Sequence, residues 1–403
     1  MHRYGAIPVI AIAGSRGKST VVRALDAIFR SIGLKTATWT NAGVELCGRR
    51  QRGELAPWSR ALGRLREGSL DVAIQELDWA TVHAVKLPRH VYPIVAITNV
   101  CVNNDACLIQ AEAKRALAAL PTLLSAVHNR GALVLNGEDY AVSGEEVDFE
   151  APAVLAGQSK DTPLIRSHLR AGGLAIWVNG GGITIGNADQ GEAICSPSQL
   201  PYTLHGEAAF QTLNIMVAAA VARSCGLSAS AIGDALAGYE PDPLLLPGSF
   251  NVVDLGGATA IVERPDPSWF LRPALRAVRD LPRNRLITVA GTMAEIGESD
   301  LVEVGRLLAR TSSMLILHSE RDQPERAKLI RQGIALNDIP PVILHTTTER
   351  RAVSRALEII RPGDAALLVA ENAPSVLRCL FRATGPLAEE GSQLTASSAI
   401  PAK

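Results

Sequence analysis

The chain shows no excess of either charge and no long apolar stretch. Forty lysines and arginines meet 40 aspartates and glutamates in 403 residues, giving a formal net charge of zero. Such a balance gives no reason to expect nucleic-acid or membrane-surface binding. No apolar run approaches the length of a membrane span. Aromatic residues make up only 4% of the chain. The remaining apolar content is rich in Ala, Leu and Val, which suits a helix-rich α/β protein. The six cysteines (Cys47, Cys101, Cys107, Cys195, Cys225 and Cys379) contain no C-x-x-C pair. That argues against a zinc ribbon and fits a reducing cytoplasm. There is no internal repeat.

The opening "MHRYGAIPVIAIAG" imitates a signal peptide, but its apolar stretch runs directly into a glycine-rich turn. A buried first strand is the better reading. Strand-like runs at 7–13, 71–76, 92–100 and 131–136 alternate with helical periodicity at 18–33 and 109–128. This alternation predicts a parallel, doubly wound sheet. Around the triple glycine of 174–194 the texture becomes that of an antiparallel hairpin. Helices are expected over 208–225 and 228–238, the second capped by Ser228.

The proline-rich "GYEPDPLLLPGSF" (238–250) marks a domain boundary. Strands then recur near 251–254, 258–263, 284–290, 312–317, 341–345 and 365–369. The expected organisation is a central nucleotide-binding domain over 1–243 and a Rossmann-like domain over 244–385. The small, polar stretch 386–403 reads as a disordered tail.

"AGSRGKST" (13–20) lies between the first strand and the first helix. Gly14 and Gly17 let backbone N–H groups approach phosphate oxygens, and the helix start adds its positive dipole end. With Ser15, Arg16 and Thr20 these residues form an ATP-binding loop. In it Lys18 reaches the β/γ-phosphates, and Ser19 or Thr20 ligates magnesium. Two residues separate the glycines here, where the common phosphate-loop pattern has four.

This short spacing resembles the Mur ligase superfamily of ATP-dependent amide ligases. Further segments fall in the family's order: "DVAIQELDWA" (71–80), "ITNV" (97–100), "ALVLNGED" (132–139) and "HGEAAFQTLNIMVAAAV" (205–221). Beyond the boundary, 246–269 and 287–317 are closest to the ligase part of cyanophycin synthetases. The resemblance spans about residues 5 to 385. It implies the fold class: an α/β protein whose P-loop ATPase domain has a parallel sheet plus a small antiparallel part, followed by a Rossmann-like C-terminal domain. It also implies a metal-binding Glu76 and an adenine contact from Asn214. The family's N-terminal nucleotide-sugar domain and the synthetases' ATP-grasp portion are expected to be absent.

Several family positions are changed. The Asp-His metal pair falls on Asn104-Asp105, where Asp105 is either a substitute magnesium ligand or part of an ordinary polar loop. The family's carbamylated lysine falls on Leu120-Pro121. Lys114 has the right local sequence only in a shifted register, so loss of the carbamate, with Lys114 exposed, is the expectation. A family arginine is Ser249, while Glu263 replaces an aspartate and Asp266 a histidine. Glu263 and Arg264 are either the carboxylate and cation that the second domain would bring to catalysis or ordinary surface residues. His205 and Cys101 read as structural.

The reaction implied is amide formation through an acyl phosphate, with amino acid or peptide substrates and with ATP and magnesium as cofactors. No nucleic-acid or membrane partner is implied; a homo-oligomer or a partner subunit fits the same reading. The alternative is an impaired pseudo-ligase that binds nucleotide as a regulatory or scaffold subunit.

Overall fold

The computed structural model describes residues 9–100, 111–139, 151–281 and 283–384, with side chains omitted at 111–113. The chain divides into two compact units, Met1–Pro241 and Asp242–Lys403. Asp105, Cys101, Cys107 and the 386–403 tail lie outside the described residues.

The first unit is built on an eleven-stranded sheet. Its centre is β1 (Val9–Ala13), flanked in parallel by β5 (Val72–Leu77) and β6 (Tyr92–Ile97). Beyond β5 lies β2 (Thr36–Thr40); beyond β6 follow β7 (Val127–Asn136), β8 (Ala153–Gly157) and β9 (Leu174–Asn179), all parallel. An antiparallel ribbon extends each edge. β3 (Gly43–Leu46) and β4 (Arg49–Arg50) continue from β2, and β10 (Gly182–Gly186) and β11 (Gly191–Cys195) continue from β9.

β1 shows why the middle of the sheet is apolar throughout. Val9, Ala11 and Ala13 belong to one core, while Ile10 and Ile12 belong to the other, so both faces are covered. On the first face pack α2 (Leu55–Arg66), α3 (Trp79–Val85), α4 (Ala111–Ser125) and α5 (Pro163–Arg170). On the second pack α1 (Lys18–Ser31), α6 (Ala209–Ser224) and α7 (Ala229–Ala237). Helix α6 is buried from Asn214 to Ala222, and its alanines let it lie close against neighbours on every side. Ser228 caps α7 by accepting from the Ala231 N–H, as its position suggested. The helix expected over 109–128 stops at Ser125, because Val127 already pairs with Tyr92 as the start of β7.

The second unit carries a six-stranded sheet in the order β12-β13-β17-β14-β15-β16. β12 (Asn251–Asp254) is antiparallel to β13 (Thr259–Glu263). Parallel pairing then joins β13, β17 (Ala365–Val369), β14 (Leu286–Ala290), β15 (Met314–His318) and β16 (Val342–Thr346). Helices α8 (Ser268–Asp280), α9 (Glu298–Thr311), α10 (Pro324–Ala335), α11 (Glu349–Ile359) and α12 (Ala373–Thr384) connect or follow these strands. No helix among the described residues is long and apolar enough to cross a membrane.

Candidate nucleotide site

The loop between β1 and α1 adopts a backbone that only glycine tolerates at two points. Gly14 has φ +142°, and a Cβ there would stand 2.0 Å from the Thr98 hydroxyl oxygen. Gly17 has φ +80°, and a Cβ would meet the Asn214 amide oxygen at 2.2 Å. Gly17 is also the residue before α1, so no side chain caps that helix. The first-turn N–H groups are therefore left for an acceptor brought from outside.

A second layer holds the loop in shape. The Arg16 N–H donates to the Asn99 side chain at 3.0 Å, and the Arg16 carbonyl accepts from the Asn99 amide at 3.0 Å and the Thr98 hydroxyl at 2.5 Å. The Ser15 N–H donates to the Asn99 carbonyl at 2.9 Å. Ser15 Oγ donates to the Val100 carbonyl at 2.9 Å and accepts from the buried Trp79 indole at 3.1 Å. The Asn136 amide in turn donates to the Thr98 carbonyl at 2.9 Å, and Asp139 accepts the Val100 N–H. "ITNV" and "VLNGED" thus serve as the scaffold of the loop.

The charged centre forms where α1 begins and β5 ends. Ser19 Oγ donates to Glu76 Oε2 at 2.6 Å, and Lys18 Nζ stands 3.5 Å from Glu76 Oε1. Asn41, just past β2, brings its amide oxygen within 3.3 Å of Ser19 Oγ and its N–H within 3.4 Å of Glu76. Nothing in the sequence distinguished Asn41 from an ordinary turn residue. Asp78 also belongs here. Burial pushes its carboxyl up, but the Thr81 N–H and hydroxyl and the charge of Lys18 outweigh that and hold it below the usual range. Lys18 thus sits in the field of two carboxylates. Thr20 lies half-buried in the first turn of α1.

Other expected site residues lie apart from this cluster. Asn214 is buried on α6 against Gly17, its amide donating to Gln211 at 3.0 Å. Lys114 is exposed on α4. In the second unit, Glu263 ends β13 almost fully buried and accepts the Arg264 N–H at 3.0 Å. The Arg264 guanidinium donates to the Gly248 carbonyl at 3.3 Å and the Ser249 hydroxyl at 3.2 Å. It therefore reaches the very position where the resemblance expects an arginine. His205 makes a structural contact to the Ser198 carbonyl at 2.9 Å.

The fold is that of the Mur ligases. Superposition on E. coli FolC bound to ADP without folate substrate gives a TM-score of 0.63 at 15% identity, covering 94% of this chain and 90% of that one. Residues 271–372 match the family model of the Mur ligase glutamate ligase domain. The cyanophycin synthetase of a Synechocystis species is 25% identical over 94% of this chain. The UDP-N-acetylmuramoyl-L-alanyl-D-glutamate–2,6-diaminopimelate ligase of Geobacillus kaustophilus is 24% identical, covering 90% of this chain and 73% of that protein. The chain spans only 44% of the Synechocystis synthetase. These relatives are ligases, and the Mur ligase resemblance read from the phosphate loop agrees with them.

Proposed function

We propose that the chain is an ATP-dependent carboxylate–amine ligase that joins amino acid or peptide substrates through an acyl phosphate. The observation that carries this reading is the convergence of Lys18 and Ser19 on Glu76 beside a helix start that no side chain caps. A triphosphate suits that place because the loop N–H groups and the lysine address its anionic oxygens together.

Oxygen atoms beside the loop also suit a magnesium ion. Ser19 Oγ, a Glu76 oxygen and the Asn41 amide oxygen are hard ligands, already within hydrogen-bond reach of one another. A single carboxylate with neutral oxygens matches the way magnesium is held when substrate phosphates complete its shell. Bound there, magnesium would neutralise charge on the β- and γ-phosphates.

In this reading a substrate carboxylate oxygen attacks the γ-phosphorus while the bond to the ADP oxygen breaks. An amine nitrogen then attacks the acyl carbon, loses a proton, and inorganic phosphate departs with the C–O electron pair. Lys18 and the loop N–H groups stabilise the transferring phosphoryl group, and the Thr98–Asn99 scaffold fixes their positions beforehand. Arg264 takes over the charge absent at Ser249, and Glu263 retains a carboxylate at the end of β13.

Exposure of Lys114 favours a second reading, a nucleotide-binding pseudo-ligase, because no carbamate is then supplied from that position. One assay separates the two. ADP release is measured with magnesium across amino acids and short peptides. The ligase reading expects amine-dependent turnover that Lys18→Ala abolishes, together with at least a hundredfold loss of ATP affinity, or about 2.7 kcal/mol. Tight ATP binding with no substrate-dependent release supports the pseudo-ligase. Unchanged ATP affinity in a folded Lys18→Ala protein removes both.

A further inference from the structure

A chain of zero net charge concentrates positive charge in one segment. Between Gly48 and Gly68 stand six arginines (49, 50, 52, 60, 64 and 66) and two glutamates (54 and 67). Arg50 pairs with Glu45, a buried carboxylate that it shares with Arg23. Arg49, Arg60 and Arg64 are different. Among the described residues no salt bridge involves them, and with Leu46, Cys47 and Gln51 they line a cavity of about 480 Å³.

The helix that carries two of these arginines is held in place by the fold. Helix α2 buries Pro57, Trp58, Ala61 and Leu65 against the sheet, and the Trp58 ring lies 5.4 Å from that of Trp39. Arg60 and Arg64, four residues apart, therefore project side by side from a fixed helix, where like charges repel. Arg49 comes from the facing β3–β4 hairpin, whose turn is shaped by Cys47 and Gly48 at positive φ. A fixed helix and a hairpin thus set three exposed arginines around one cavity without a carboxylate among its lining residues, an arrangement that favours an anion.

The cavity is separate from the nucleotide site. Leu46 pairs with Ala37 near the start of β2, whereas Gly43 pairs with Thr40 at its end, next to Asn41. Three residues of strand separate the two registers, roughly 10 Å at about 3.4 Å per residue. The arginines thus lie towards the opposite end of the edge ribbon from Ser19 and Glu76.

We infer that this arginine-lined cavity binds a small polyanion carrying two or more carboxylate or phosphate groups. Its volume lies within the range of about 300–1,000 Å³ seen for small-molecule pockets. Guanidinium forks match both kinds of oxyanion, and occupancy relieves the repulsion between Arg60 and Arg64.

The test uses the full chain carrying Lys18→Ala, so that the phosphate loop does not compete, in magnesium-free buffer. Citrate and pyrophosphate are titrated separately by calorimetry at two salt concentrations. The expected result is saturable one-to-one binding of at least one probe, weaker at high salt. It should weaken at least tenfold when Arg60→Gln and Arg64→Gln are added, and likewise with Arg49→Gln alone. Tighter citrate identifies a carboxylate ligand, and tighter pyrophosphate a phosphorylated one. The winning probe should also slow alkylation of exposed Cys47 by iodoacetamide, read by peptide mass spectrometry, without slowing that of Cys195. ATP affinity of Arg60→Gln/Arg64→Gln in the otherwise native chain should stay within twofold. Absence of saturable binding, undiminished binding in the arginine variants, or an unprotected Cys47 would each overturn the inference.

Discussion

His318 illustrates how a single residue carries a pH dependence that its sequence context does not announce. It ends β15 with no solvent exposure; Nδ1 lies 3.1 Å from the Ser319 hydroxyl and Nε2 has no hydrogen-bond partner. Burial lowers its pKa from the usual 6.5, against the opposing pull of Glu371 and Glu320. The unfolded chain thus takes up this proton at a higher pH than the folded one. Stability from the neutral imidazole is fully present above pH 6.5 and is lost as pH falls from there through the folded value. Urea midpoints between pH 8 and pH 5 should fall more steeply for the wild type than for His318→Gln. Parallel profiles for the two proteins would show that the imidazole is not the cause.

At the scale of elements, the phosphate loop depends on the ends of β6 and β7. Asn99 addresses both the N–H and the carbonyl of Arg16, while Asn136 and Asp139 hold the strand end that presents it. Asn99→Ala should therefore raise the Kd for ATP about tenfold, as loop N–H groups lose their alignment, at a cost of only about 1–3 kcal/mol in stability. Equilibrium nucleotide binding and urea unfolding on the same variant check both halves. Much of this level was legible in the sequence. The strands of the second unit fall within a few residues of their expected places, because short apolar runs bounded by turn residues leave few alternatives. The Gly-x-x-Gly-Lys-Ser-Thr turn is legible directly from its residues, whereas Glu76 is singled out only by the family resemblance. What escaped was long-range: the Trp79–Ser15 bond, Asn41 beside Glu76, and the packing of Asn214 on Gly17 join residues that no local pattern links. The β3–β4 ribbon was missed because a two-residue strand of arginines has no hydrophobic period.

For the molecule as a whole, each unit owns a core. Val253, Val262, Ile287, Val289, Ile316 and Leu368 cluster with α11 and α12 residues of the second unit alone. A fragment comprising Asp242–Lys403 is expected to fold by itself, showing helical far-ultraviolet dichroism and one cooperative urea transition. A broad, non-cooperative loss of signal would mean that the second unit needs the first. The eleven-stranded sheet faces a further problem at its margin. Its last strand on one side is Arg49–Arg50, both exposed, and only two residues long. A short strand of two cations offers few free backbone groups and repels an identical copy approaching in the same way. A stray chain reaching this margin therefore finds little backbone on which to lengthen the sheet into a fibre.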